Sequence, residues 1–316
     1  MNSRLLAVAA LAASSACSFV GIDGDNNVFD ASVGDDDASQ PDASTGAERF
    51  DCAPLPAPTG TVVTVSDVPG LEAALAALAP DTTILFEPGT YGLGGTIEVR
   101  VDGVVFRSST GDPADVTLTN DANGNGIPDF NRMFDIEASN VTVAEMTLER
   151  SPTPLTVSGT GADDTSGARF YRLVIVDFED RGLEVLANGV TTSHDGTLAC
   201  SRVEAEDSDA CNNFTAAIDI RAAADNWRIS ENTIGPFCSQ VFSTTTQLGI
   251  RISRRARFTV IDHNSVLSAR DGIKIGDASI SFASCNGVDG DGWDVYQTLL
   301  CNNVVTYDDV AGDPDD

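Results

Sequence analysis

The sequence predicts an all-β domain wound as a single-stranded right-handed parallel β-helix with an N-terminal cap helix. Three observations predict it: a strand triplet that recurs seven times, a second repeat built on asparagine, and one short amphipathic helix ahead of both. The triplet reads apolar–polar–apolar. It recurs as Ile97-Glu98-Val99, Phe134-Asp135-Ile136, Leu155-Thr156-Val157, Leu183-Glu184-Val185, Ile218-Asp219-Ile220, Ile250-Arg251-Ile252 and Ile273-Lys274-Ile275. The spacings are 37, 21, 28, 35, 32 and 23 residues. Alternation with period two sends the flanking apolar residues to one side of a strand and the middle residue to the other. A fixed strand with uneven intervals suits a solenoid whose turns differ in length.

The intervals carry further short strands rich in Val, Ile and Thr, such as Val141-Thr142-Val143, residues 173–176 and residues 258–261. Asn-Gly and Asp-Gly turns between alternating runs are few, which disfavours a hairpin sandwich. Helical periodicity is nearly absent after residue 80, which disfavours βα units. The last two triplets share a longer signature, Gly249-Ile250-Arg251-Ile252 against Gly272-Ile273-Lys274-Ile275.

The asparagine repeat is Asn232-Thr233-Ile234, Asn264-Ser265-Val266 and, continuing the series, Asn303-Val304-Val305. Stacked Asn amides can hydrogen-bond along a column, and Asn tolerates the left-handed backbone of sharp turns. The helix spans Pro69 to Leu78 with Leu71, Ala74, Leu75 and Leu78 on one face. A repeat stack must cover its open end, and this helix is placed to do so. The first coil then begins at Thr83-Ile84-Leu85-Phe86 and Pro88-Gly89-Thr90-Tyr91.

From Val65 through Tyr91 the chain resembles the opening of the pectate-lyase-like superfamily of right-handed parallel β-helices, and the Asn-x-Ile/Val and Gly-Ile-x-Ile repeats resemble its coils. The resemblance covers roughly residues 62–305 and is specific to architecture rather than to one activity. Many members of that superfamily cleave or remodel uronate-rich polysaccharides, often with calcium; others are adhesins, binding proteins or structural shafts. Fold alone does not choose among them.

The rest of the chain reads as an exported protein. Arg4 and the apolar run Leu5 to Ala13 form a signal segment over residues 1–16, too short to span a bilayer. Ser14-Ser15-Ala16-Cys17 resembles the lipobox of bacterial lipoproteins, which makes Cys17 a lipidation candidate, with Ser14 standing where Leu is usual. Residues 17–51 are rich in Asp, Ser, Ala and Gly and read as a flexible acidic tether, with one domain over residues 52–316. Secretion or an outer-membrane lipoprotein follows, with any membrane contact made only through the lipid. Lipidation of Cys17 leaves six of seven cysteines, an even number suited to an oxidising compartment. Cys200 and Cys211 are close enough in sequence to staple one loop.

With 48 acidic and 18 basic residues the formal net charge is −30. That excludes nucleic acid as a partner and leaves an acidic polymer only a local basic patch or a bridging cation. Six of the 18 bases, Arg251, Arg254, Arg255, Arg257, Arg270 and Lys274, fall within 24 residues, and Lys274 is the sole lysine. In register, the triplet centres form one column in which Asp219 lies a rung from Arg251, and Arg251 a rung from Lys274. The expected partner is an acidic or neutral polysaccharide, engaged by a monomer.

If the protein is an enzyme, a lyase-type reading makes Lys274 the proton-abstracting base and Arg251 the charge stabiliser. Arg254, Arg255 and Arg270 then bind substrate, and Glu184 with Asp219 hold calcium. The competing reading makes the same residues a ladder of exposed ion pairs on a non-catalytic binding or structural lipoprotein. The Gly-His-Gly and Arg-x-Lys motifs of the polygalacturonase branch are absent, and His263, before Asn264, reads as a turn residue. A second calcium candidate is the loop with Asp121, Asn123, Asn125 and Asp129 oxygens and the Ile127 carbonyl, although Arg132 stands where an EF-hand needs Glu. Trp227, Trp293 and Tyr296 are either sugar-stacking or packing aromatics.

Overall fold

The computed structural model describes residues 49–159, 164–187, 192–205, 215–221, 224–237, 248–253, 256–267, 271–275, 278–280, 286–290, 295–301 and 303–306, together with the strands at 20–22 and 28–30. Three parallel sheets run the length of the stack, and each coil contributes one strand to each. The first sheet runs from Thr61–Val65 through Thr82–Phe86 and Thr142–Ala144 to Val260–Asp262 and Val295–Cys301. The second runs from Gly89–Gly92 to Val304–Thr306, and the third holds the triplets, from Ile97–Val99 to Asp271–Ile275. Antiparallel pairing enters at the far end, where Ala278–Ile280 folds back on Asp271–Ile275 and Asn286–Gly290 on Val295–Cys301.

All seven triplets pair as the repeat predicts, from Ile97↔Phe134 to Ile250↔Ile273. Their flanking residues point inward and are buried, as are Phe106, Leu118 and Phe170 from the other two sheets. One continuous apolar column fills the solenoid. Trp227 belongs to it, fully buried, with its Nε1 donating to the Ser193 carbonyl at 3.2 Å, so it packs the core and does not stack on sugar. Gly196 makes room for it: a Cβ there would lie 2.3 Å from the indole. Gly249 likewise permits close stacking, since a Cβ would lie 2.4 Å from the Gly272 carbonyl oxygen of the next coil. Trp293 lies outside the described residues.

The helix, Val68–Ala76, has Asp67 as N-cap, its carboxylate accepting from Gly70 N at 2.7 Å. Leu71 and Ala74 are buried on the core, and Leu75 and Leu78 pack against it. The stack begins one strand earlier than the sequence suggests. Thr61–Val65 pairs in register with Thr82–Phe86, so the helix connects two neighbouring strands of the first sheet.

The asparagine column forms as expected, but its physical basis differs. Asn232 Nδ2 donates to Asn264 Oδ1 and Asn264 Nδ2 to Asn303 Oδ1, both at 2.9 Å. Their second amide hydrogens reach the Leu198 and Ile229 carbonyls inside the coil. The left-handed residues are the ones just before this column: Cys200, Glu231 and His263, with φ of 55°, 57° and 56°. Glu145 and Arg172 hold the same conformation in earlier coils. Their N–H groups continue the inter-coil ladder around the corner, as in Arg172 N to Ala199 O at 3.1 Å, and this helps offset the cost of a left-handed non-glycine residue. The asparagines are selected by the buried column, and His263 is a turn residue as its position suggests.

The expected Cys200–Cys211 staple is replaced. Cys200 is bonded to Cys52, 148 residues away; Cys211 lies outside the described residues. The bond fixes residues 49–58 as a strap across successive coils. Arg49 forms a two-point ion pair with Glu231, Tyr171 Oη donates to Ala53 O at 2.8 Å, Leu55 N donates to Glu145, and Arg107 donates to the Leu55 and Pro56 carbonyls. Phe50 and Leu55 fill an outer trough floored by Ala144, Tyr171 and Ala199. Arg49, Phe50 and Asp51, assigned to the tether by composition, therefore belong with the folded body. Ahead of the strap, Val20–Ile22 and Val28–Asp30 pair antiparallel. Residues 1–16 and Cys17 lie outside the described residues. No helix among the described residues is long and apolar enough to cross a membrane.

Candidate functional site

The third sheet brings the triplet centres into one column in the predicted order: Glu98, Asp135, Thr156, Glu184, Asp219, Arg251, Lys274. Side chains one rung apart are held at the strand spacing of about 4.8 Å. The column points away from the core, but its middle is not open to solvent. Thr156 and Asp219 are 0% exposed and Glu184 is 4% exposed, while Arg251 and Lys274 are half-buried.

Arginines from the flanking positions supply much of the cover. Arg132 pairs with Asp135 at 3.0 Å, and Arg181, likewise three residues ahead of its acid, pairs with Glu184 at 3.2 Å. Arg181 Nε also donates to Asp219 at 2.8 Å, and Nη1 to Asp180. Arg221 donates to Glu184 and lies 3.6 Å from Asp219. Arg251 grips Asp219 with two donors, Nε at 2.8 Å to one oxygen and Nη2 to the other. Glu184 and Asp219 are buried beneath these contacts, and the side chains of Arg181, Arg221 and Arg251 are themselves only partly exposed.

Asp219 is therefore the hub of the site: one carboxylate engaged by Arg181, Arg221 and Arg251. Its hydrogen bond holds the Arg251 guanidinium above its usual pKa against the opposing effect of burial, so this side chain stays charged. Lys274 has no ion-pair partner among the described residues. Three carboxylates (Asp180, Glu184, Asp219) against three guanidiniums and one ammonium leave a local positive excess in a strongly acidic chain. The arrangement can hold an anion against fixed N–H donors, and it offers an amine one rung from a guanidinium.

Arg181 and Arg221 were not among the sequence candidates because they stand outside the triplets. The usable signal was the spacing Arg132-x-x-Asp135 and Arg181-x-x-Glu184, which repeats two coils apart with the Thr156 coil between. Arg254, Arg255 and Arg270 lie outside the described residues. Arg257 pairs with Asp225 at 3.1 Å on a different corner of the coil.

The side-chain oxygens named as calcium ligands have protein partners in this structure. The oxygens of Glu184 and Asp219 face guanidiniums, so the positive charge expected there from a metal comes from arginine. In the 121–129 loop, Asp121 accepts from Asn125 N at 2.9 Å and Gly126 N at 2.8 Å, and pairs with Arg150 at 3.1 Å. Burial opposes the Asp121 carboxylate, but those backbone donors and Arg150 outweigh it and hold its pKa below the usual range. Asp129 is taken by Ala122 N and Asn123 Nδ2. Among the described residues no three His, Cys, Asp or Glu side chains converge as a metal site.

No protein-family model and no curated protein sequence matches the chain. Among solved structures, an alginate lyase from Paenibacillus sp. str. FPU-7 superposes with a TM-score of 0.52 at 14% identity, over 78% of this chain and 76% of that one. Weaker likenesses include pectate lyase Pel9A (TM-score 0.41, 16% identity, 68% and 52% of the two chains) and the pectin methylesterase from Aspergillus niger (0.33, 12%, 79% and 87%). At such identities a likeness speaks for architecture and not for activity. Parallel sheets, seven in-register triplets and that superposition agree, and in fold the chain is a right-handed parallel β-helix protein.

Proposed function

We propose that this is an exported β-helix protein that engages an acidic polysaccharide across its third sheet, at the end carrying Arg181, Arg221, Arg251 and Lys274. One observation carries the reading: three guanidiniums and an ammonium with no ion-pair partner among the described residues gather on one sheet of a chain with net charge −30. A polyanion repelled by most of this surface has a landing place there. Fixed guanidinium forks bind carboxylates with more directional donors than a mobile cation offers. Arginine then fills the role that a calcium-assisted mechanism gives to the metal. Residues 1–16 as an export signal, Cys17 as a lipid anchor and residues 17–48 as a spacer complete a protein displayed at the cell envelope.

A second reading is favoured by Lys274. An amine with no carboxylate partner among the described residues, one rung from Arg251, has the composition for β-elimination: the amine takes the proton next to a uronate carboxylate and the guanidinium stabilises the developing charge. Incubating the purified protein with polygalacturonate and with alginate separates the two readings. Growth of the ultraviolet absorbance of unsaturated products, lost in Lys274→Ala, supports the lyase. Binding without such products supports the non-catalytic protein, and neither binding nor product sinks both.

A further inference from the structure

We infer that Asp219 is a positioning residue: a buried carboxylate that locks Arg181, Arg221 and Arg251 into one array whose free N–H edges face the anionic ligand. The inference rests on the proposed polysaccharide-binding reading and deepens it by naming what sets the geometry of the site.

Asp219 is 0% exposed, yet three arginines from three places converge on it. Arg181 comes from the preceding coil, Arg221 stands two residues along the same strand, and Arg251 comes from the following coil. A guanidinium carries five N–H donors. Arg251 commits Nε and Nη2 to Asp219, leaving Nη1 for another acceptor. Arg221 Nη2 turns to Glu184, and its buried Nε has no hydrogen-bond partner among the described residues, since Asp219 Oδ2 stands 3.6 Å away. These side chains are 14%, 20% and 22% exposed, so each keeps some surface open to a ligand while the carboxylates hold its orientation. Without the carboxylate, three like charges within a few ångströms would repel and spread into solvent. A pre-set array binds more tightly than the same charges on mobile side chains because less ordering remains to be done.

Charge and geometry predict opposite outcomes, and that makes the inference testable. Asp219→Asn removes a negative charge from the site, so long-range electrostatics alone would tighten the binding of a polyanion. Positioning predicts the reverse: affinity for polygalacturonate and alginate, titrated into the full chain at fixed ionic strength, falls roughly tenfold. Equal or tighter binding overturns the inference. Should Asp219→Asn not fold, Arg251→Lys keeps the charge and loses the two-point grip; weaker binding is expected, and unchanged affinity overturns the inference. Arg181 and Arg251 Nε–H exchange, followed by NMR, is expected to be slow in the wild type and fast in Asp219→Asn; equal rates overturn the locking itself. A wild type that binds neither polymer overturns the underlying functional reading instead, which a failure of Asp219→Asn alone to weaken binding would leave intact.

Discussion

Cys52 and Cys200 join the strap to the middle of the stack, closing a loop of 148 residues between the chain's entry and its central coils. The coils on either side are held by the same strap, through Arg49 to Glu231 on one flank and Leu55 to Glu145 on the other. Because a disulfide acts largely by restricting the unfolded chain, and more so for long loops, the double variant Cys52→Ser/Cys200→Ser is expected to lose about 3 to 5 kcal/mol. Chemical denaturation of oxidised protein against the variant measures this. Coincident midpoints would show that the disulfide contributes nothing.

Asn264 occupies the centre of the asparagine column. Its Oδ1 accepts both the backbone and the side-chain donors of Asn232, and its Nδ2 reaches Ile229 O and Asn303 Oδ1. Asn264→Ala removes four hydrogen bonds and strands a buried N–H, at an expected cost of about 3 kcal/mol. Asn264→Asp is expected to destabilise as well at neutral pH, because a carboxylate has no hydrogen to give. Thermal unfolding of the two variants checks both statements.

Thr156 offers the opposite sign. Its hydroxyl is fully buried between Asp135 and Glu184 in the column and has no hydrogen-bond partner among the described residues. Replacing it with valine removes an unsatisfied polar group at nearly constant shape. Thr156→Val is expected to be neutral or to stabilise by about 1 kcal/mol. A clear loss of stability in denaturant would mean that the hydroxyl has a partner.

The acid sensitivity of the 121–129 loop follows from Asp121. Its pKa is depressed in the folded chain, so the stability it confers is fully present above the ordinary carboxylate range of about 4 and is lost as pH falls through the lower, folded value. Asp121→Asn is expected to flatten that part of the stability profile while lowering stability at neutral pH, where Arg150 loses its partner. Unfolding measured from neutral to strongly acid pH, wild type against variant, tests the sign.

The architecture was legible because a strand buried on one side must alternate, and seven alternating triplets with stacked centres leave little freedom in register. The glycines of the Gly-Ile-x-Ile repeat were equally readable, and Gly249 proves to sit against the Gly272 backbone. The asparagine column was visible, although the left-handed backbone was assigned one residue late, since Cys200 and Glu231 give no compositional hint of it. Cys52–Cys200 was not readable, because which coil the strap reaches depends on how many residues each turn spends. The candidate site was half legible. Arg251 and Lys274 were found on adjacent rungs, but column order alone does not show that flanking arginines fold over the acids and take the place expected for calcium.

The measurement closest to the central claim is a calorimetric titration of polygalacturonate and alginate into the wild type and Lys274→Ala across a range of salt concentrations. Binding in the wild type that weakens with added salt, and falls roughly tenfold on loss of the lysine, is the predicted result. An absence of binding, or an affinity indifferent to both salt and Lys274, would contradict the assignment of the third sheet as the polysaccharide-binding face.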